Sequence, residues 1–213
     1  MGLSKQEQMK ILLEQLHMPE EYRESHFKDA RFKRLDVYKK TETWHFHIRV
    51  KHVLPYTIYQ LLRAKLHEAF RHIAKTDLTI DTEDSDCPLD TVREYWHDFL
   101  HTMDNISPAY KDLVYNQTPE INNQKLIIVA RNDAEANALK KRLETQFQKY
   151  CKKVGLPVYT IDVEVKTEEE DLLKFREQKA KEDRELALKT VQDKEKRDLD
   201  RMNQELNKPF MLG

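Results

Sequence analysis

The chain has 213 residues, 35% of them charged and 39% hydrophobic, with a formal net charge of −1. Charge this dense exceeds the globular norm of about 25%, so part of the chain must be solvated and coreless. The near-neutral balance lacks the basic excess of a general nucleic-acid footprint. Three scattered glycines (Gly2, Gly155, Gly213) exclude the glycine-rich loops of dinucleotide folds, P-loop enzymes and nucleophile elbows, and two distant cysteines (Cys87, Cys151) exclude a disulfide framework.

The first predicted element is an amphipathic helix over residues 4–17, with Ser4 and Glu7 spaced as a capping box. Met9, Leu12, Leu13 and Leu16 form its apolar stripe. Neither this segment nor any later one has the apolar run of a signal peptide or a membrane span, so a cytoplasmic setting without membrane contact is expected. Residues 34–39 place Leu35 and Val37 on one face of a strand. Residues 43–50, TWHFHIRV, then alternate strictly: Trp44, Phe46, Ile48 and Val50 against His45, His47 and Arg49. Period two over this length predicts a half-buried strand, joined to the first by a hairpin through residues 39–42.

Pro55 suits the first turn of a helix whose stripe is Ile58, Leu61, Leu62, Leu66, Ala69, Phe70 and Ile73. Residues 77–81 form a further strand with Leu78 and Ile80 inward, completing a small sheet covered by helices on one face. The polar, acidic stretch over 82–90 contains Pro88 and reads as a boundary.

Past it, residues 90–103 predict a helix with Val92, Tyr95, Trp96, Phe99, Leu100 and Met103 on its apolar side. Ser107 and Pro108 open a second, short helix. LIIV within residues 124–130 is a buried-strand core, and Asn132 or Asp133 caps a long helix with Leu139, Leu143, Phe147, Tyr150 and Val154 inward. Gly155 stops that helix in a left-handed conformation, with Pro157 behind it. A strand over 158–165 offers Val158, Ile161, Val163 and Val165 to the core. From residue 166 the chain turns highly charged with mixed signs, and acid-before-base pairs such as Glu170 and Lys174 recur four apart. A solvated, partly formed helix acting as a spacer is expected there.

The fold class is therefore α+β: two small α/β modules over 1–83 and 90–165, and a charged helical arm over 166–213. No catalytic, metal or cofactor-binding residue is nominated. His45 and His47 lie on the polar face beside cationic Arg49 and Lys51, which suits surface histidines better than metal ligands. HDFLH over 97–101 faintly echoes a zinc-protease helix. However, Asp98 replaces the glutamate base, and both His97 and His101 border an aromatic stripe. Cys87 reads as an incidental thiol, because no base is placed beside it. Lys140, Lys141, Arg142 and Lys149 on the long helix are the candidate residues for an alternative role in binding single-stranded nucleic acid.

Three longer stretches carry a family resemblance: RLDVYKKTETWHFHIRVKHVLPYTIYQ over 34–60, YWHDFLH over 95–101 and NQKLIIVARNDAE over 123–135. With these, the whole chain resembles the N-terminal region of the PolC-type DNA polymerase III α subunit of low-GC Gram-positive bacteria, and its NKPFMLG end resembles the stretch before that family's OB-fold domain. The resemblance implies that the modules are N-terminal domains I and II. It also implies that the second is a truncated K-homology-like arrangement, similar to the polymerase-binding domain of the clamp-loader tau subunit. A protein-interaction role in DNA replication follows, with tau or another replication protein as partner and DNA reached through the parent polymerase. That parent would be a DNA-directed DNA polymerase with an associated 3′–5′ exonuclease. Its catalytic aspartates match no position here, so the chain is expected to be a fragment that neither polymerises nor holds a cofactor. The GxxG loop with which K-homology domains grip nucleic acid has no counterpart.

Overall fold

The computed structural model describes residues 2–104 and 106–209. Residues 210–213 of the NKPFMLG end lie outside the described residues, as does Asn105. The chain forms two units, Met1–Val165 and Lys166–Gly213.

The first unit runs twice through one order of elements: two helices, an antiparallel strand pair, a crossover helix, and a third strand parallel to the second. Its first pass is α1 (Lys5–Gln15), α2 (Glu20–Arg23), β1 (Arg31–Tyr38), β2 (Thr43–Val50), α3 (Tyr56–Phe70) and β3 (Lys75–Thr82). The second is α4 (Leu89–Thr102), α5 (Pro108–Tyr115), β4 (Glu120–Asn122), β5 (Lys125–Ala130), α6 (Asp133–Val154) and β6 (Thr160–Val165). Each pass builds one three-stranded sheet, ordered β1-β2-β3 or β4-β5-β6.

Local chemistry explains most of the boundaries. Ser4 and Glu7 close the expected capping box at α1, each accepting the other's amide at 3.1 Å. Ser107 and Asn132 cap α5 and α6 through side-chain oxygens. Asn123 and Gln124, at φ 46° and 61°, join β4 to β5 in a two-residue turn of type I′ handedness. In β2, Phe46, Ile48 and Val50 are buried, as the alternation requires.

Five elements differ from expectation. The three-residue β4 and the single-turn α2 were not anticipated, because both are too short to show a period. Ala69 and Ile73 were assigned to the core stripe of α3, but both are exposed: the helix ends at Phe70 and leaves Ile73 in the turn beyond it. Tyr59 is buried in their place. Val158 is exposed because β6 starts only at Thr160. The charged arm is one continuous helix rather than a partly formed one.

That arm is α7 (Glu168–Leu206), the regular structure of the second unit among the described residues. Thr167 accepts the Glu170 amide at its start, and four carboxylates, Glu168 to Asp171, occupy the first turn, where the helix dipole favours them. Its 39 residues make it about 58 Å long. No residue of it is buried.

One core serves both sheets. Trp96, Phe99 and Phe147 meet at its centre, with Trp96 edge-on to Phe147 at a centroid separation of 4.9 Å. The helix α6 contacts β3 of the first sheet as well as β5 and β6 of its own.

Candidate interaction surfaces

The seam between the sheets is polar at its rim. Asp98, in the middle of α4, accepts the Tyr56 hydroxyl on Oδ1 at 2.8 Å and the Tyr150 hydroxyl on Oδ2 at 2.6 Å. Arg63 approaches the same carboxylate at 3.9 Å. Tyr56 and Arg63 come from α3 and Tyr150 from α6, so one carboxylate ties three helices. Burial, reinforced by the neighbouring Asp98 charge, pushes the Tyr56 hydroxyl up to about 12 and Tyr150 well above its ordinary range. Both therefore stay protonated and donating at neutral pH. The Tyr95 hydroxyl donates to the Leu54 carbonyl at 2.8 Å, adding a buried bond between the passes.

The C-terminal end of α6 completes the seam. Lys153 pairs with Asp77 at 2.6 Å, and the Thr82 hydroxyl donates to the Gly155 carbonyl at 2.8 Å. Gly155 has φ 84°, and a Cβ there would lie 2.9 Å from Thr82 Cγ2 and 3.1 Å from the Ile80 carbonyl oxygen. Glycine is thus required both by the left-handed cap and by the close approach of β3.

The polar face of the first sheet carries the two histidines. They stack at a centroid separation of 4.1 Å and are half-buried, not freely solvated. His45 Nε2 meets Thr79 Oγ1 at 2.7 Å, and His47 Nε2 lies 2.9 Å from Asp36 Oδ2. Nε2 makes no hydrogen bond there, and the contact becomes an ion pair only when the imidazole is protonated. The expected cationic company of Arg49 and Lys51 holds along the strand. Across the strands, however, the register sets Asp36 beside His45 and His45 beside Asp77. Burial, with the His45 charge next, holds the His47 imidazole below its ordinary value. The Arg34 guanidinium lowers Asp36, and Lys153 lowers Asp77 against the opposing effect of burial. Among the described residues, no group of three His, Cys, Asp or Glu side chains is arranged to hold a metal ion.

His97 and His101 both pack edge-on to Tyr115, and His101 Nε2 meets its hydroxyl at 3.2 Å. Burial raises the Cys87 thiol to about 11, which keeps it in the weakly nucleophilic protonated form. Lys140, Lys141, Arg142 and Lys149 are all exposed on α6. Phe147 is buried between them, and Tyr150 is engaged with Asp98. Neither aromatic residue of α6 thus offers these cations' side a free face on which a base could stack.

An open cleft of about 650 Å³ runs beside α3, lined by Thr57, Gln60, Leu61, Arg63, Ala64, His67 and Thr76. Sequence reasoning gave no sign of it or of the Asp98 node. Asp98 could be seen only as the centre of HDFLH, and its partners are 42 and 52 residues away. No helix of the described residues is long and apolar enough to cross a membrane.

Comparison with known proteins follows the same two-part layout. The family model "DNA polymerase III polC-type N-terminus I" matches residues 8–80, and "DNA polymerase III polC-type N-terminus II" matches residues 94–205. The second match runs through the seam and most of α7. A DNA polymerase III PolC-type from Oceanobacillus iheyensis is 46% identical over 201 residues, which is 94% of this chain and 14% of the relative. One from Bacillus subtilis is 34% identical over 191 residues, 90% of this chain and 13% of the relative. One from Bacillus cereus is 31% identical over 208 residues, 98% of this chain and 14% of the relative. The chain thus spans about one seventh of the length of these relatives. No solved structure matches.

Proposed function

Because the chain belongs to the PolC-type DNA polymerase III family, as its N-terminal domains I and II, we propose that it is a non-catalytic protein-interaction region of a replicative DNA polymerase. Its partner in this reading is the clamp-loader tau subunit or another replication protein, in the cytoplasm, and DNA is engaged through the parent polymerase. The parent's DNA-directed polymerase and 3′–5′ exonuclease chemistry would reside outside these residues.

The observation that carries the reading is the use made of the titratable groups. General acid–base or nucleophilic chemistry needs such groups to converge on a cavity. The cleft beside α3 is lined without a carboxylate or a thiol. Asp98, Asp77, Asp36 and Glu135 are instead bound to tyrosine hydroxyls, Lys153, Arg34 and Arg131. They hold the body together and leave its outer faces for contact. The order α4, α5, β4, β5, α6, β6 also supports a truncated K-homology-like reading of the second module.

Calorimetric titration of the purified chain with the clamp-loader tau subunit tests the proposal. Saturable binding with no nucleotide incorporation on a primed template is the expected outcome, and an absence of heat with tau and with the other replication proteins would reject it. A second reading, single-strand nucleic-acid binding, is favoured by one feature. Lys140, Lys141, Arg142 and Lys149 are all exposed along α6. It predicts retardation of oligo-dT that weakens steeply with salt and is lost on Lys141→Glu with Lys149→Glu.

A further inference from the structure

We propose that the hairpin end of the first sheet docks an acidic, amphipathic peptide segment of a partner protein. The inference rests on the interaction-region reading and specifies the partner's chemistry. In register, Val37 pairs with Trp44 and Trp44 with Thr76, so the three lie abreast on the apolar side of the sheet. Phe70 closes α3 against Trp44 and Phe46, each at a centroid separation of 5.4 Å. The helix stops there, at the last apolar row of the sheet. Val37 is left 51% exposed and Ile73 63% exposed, beside half-buried Trp44 and Phe70. Exposed apolar side chains gathered at a sheet end and rimmed by charge mark a contact site.

The rim sets the partner's sign. Lys39 and Lys40 lie in the hairpin turn, and Arg71 and Lys75 flank Ile73. The Lys75 amide donates to the Glu42 carbonyl at 2.8 Å, which fixes the two segments side by side. All four cations are exposed, and none has an ion-pair partner among the described residues. Glu42 is the sole carboxylate in residues 39–42 and 71–75. Elsewhere on this sheet Lys33, Arg34 and Arg49 are paired with Asp81, Asp36 and Glu83. Four of the unpaired cations among the described residues lie where the apolar surface is open, and Arg31 at the opposite end of β1 is a further one. An apolar centre with a cationic rim complements a segment carrying leucine-like anchors among carboxylates. Nucleic acid fits less well: the most exposed apolar groups, Val37 and Ile73, are aliphatic, and Trp44 and Phe70 already pack on each other.

The chain reports on this face itself. Trp96 is fully buried and Trp44 is half-exposed within the patch, so a change in indole emission on binding arises at Trp44. The probe is a synthetic peptide of about 12 residues with leucine at positions i, i+4 and i+7, glutamate elsewhere and no aromatic residue. The intact chain is expected to give a saturable blue shift. Ile73→Glu, and separately Lys39→Glu with Lys40→Glu, are expected to weaken binding by about tenfold or more, and a lysine-for-glutamate peptide to give no shift. A silent titration, equal binding by both variants, or a shift produced by oligo-dT in preference to the peptide would overturn the proposal. The same variants titrated with tau separate the two readings. Patch-independent binding of both peptide and tau removes the docking face alone. Patch-dependent peptide binding, with no replication protein bound by the intact chain, removes the replisome reading alone.

Discussion

The two sheets of the body share one topology and use it differently. In the second sheet the outward amides of edge strand β6 are closed by carboxylates: Ile161 N–H donates to Glu144 and Val163 N–H to Asp162. Its strands are short and its hairpin has two residues, so little unpaired backbone or apolar surface remains. The first sheet has strands of eight residues, a longer turn, a ladder of paired charges on one face and an open apolar end. The same chain path thus yields a sealed scaffold in one copy and a presented surface in the other. Edge strand β3 closes an outward amide in the same way, Leu78 N–H donating to Asp77, so the difference lies in strand length and in the open apolar end.

The largest expected effect comes from the joint that lets one sheet support the other. Asp98→Ala should cost about 3–5 kcal/mol, because it strips a largely buried node and leaves the Tyr56 and Tyr150 hydroxyls without their acceptor. Tyr150→Phe alone should cost about 1 kcal/mol, and the double variant less than the sum. Urea melts measure this, and additivity would mean that the node does not couple the sheets. Gly155→Ala should cost about 2–3 kcal/mol, combining about 1–2 for the left-handed backbone with the clash against Thr82 and Ile80. An unchanged midpoint would show that β3 and the α6 cap are not in close contact.

Acid should separate the sheets by pH. The His47 imidazole is held below its ordinary value of 6.5, so the folded state disfavours its proton. Its contribution is complete above that value and is lost as pH falls from it through the lower folded value. Asp36, Asp77 and Glu135 are held below the ordinary carboxylate range, so their contributions survive to about pH 4 and are lost beneath it. Residues 120–165 contain no histidine. Amide protection, corrected for intrinsic exchange, should therefore decline first in β1 and β2, between about pH 6.5 and 5, and later in β5 and β6. His47→Gln should abolish the early phase, and simultaneous loss in both sheets would contradict this account. The smallest effect belongs to Ser4→Ala, about 1 kcal/mol from the capping box of α1, or a Tm lower by about 2–4 °C.

Much of the fold is legible locally. Strict alternation in TWHFHIRV, the apolar run LIIV, the Ser4–Glu7 box and the Gly155 stop each express a short-range rule, and each element stands where that rule puts it. The long helix from residue 168 is legible in kind, but its continuity is not, since four-apart pairs stabilise helices only weakly. The interaction surfaces are mostly not legible, because they are set by register. Asp36 and Asp77 flank His45 across strands, and no reading of the sequence neighbours Arg49 and Lys51 could reveal that. Ile73 keeps the helical spacing of a core residue, yet the helix ends three residues earlier and turns it into surface. Asp98 sits within a string that suggests metal chemistry, and its role depends on tyrosines from two distant helices.

The account stands most directly on one titration: the intact chain against the clamp-loader tau subunit, followed by calorimetry at fixed salt, with Ile73→Glu and Lys141→Glu run in parallel. Saturable heat from the unmodified chain and from Lys141→Glu, with binding weakened in Ile73→Glu, is the predicted result. No heat from the unmodified chain, or heat lost with Lys141→Glu and retained with Ile73→Glu, would contradict it.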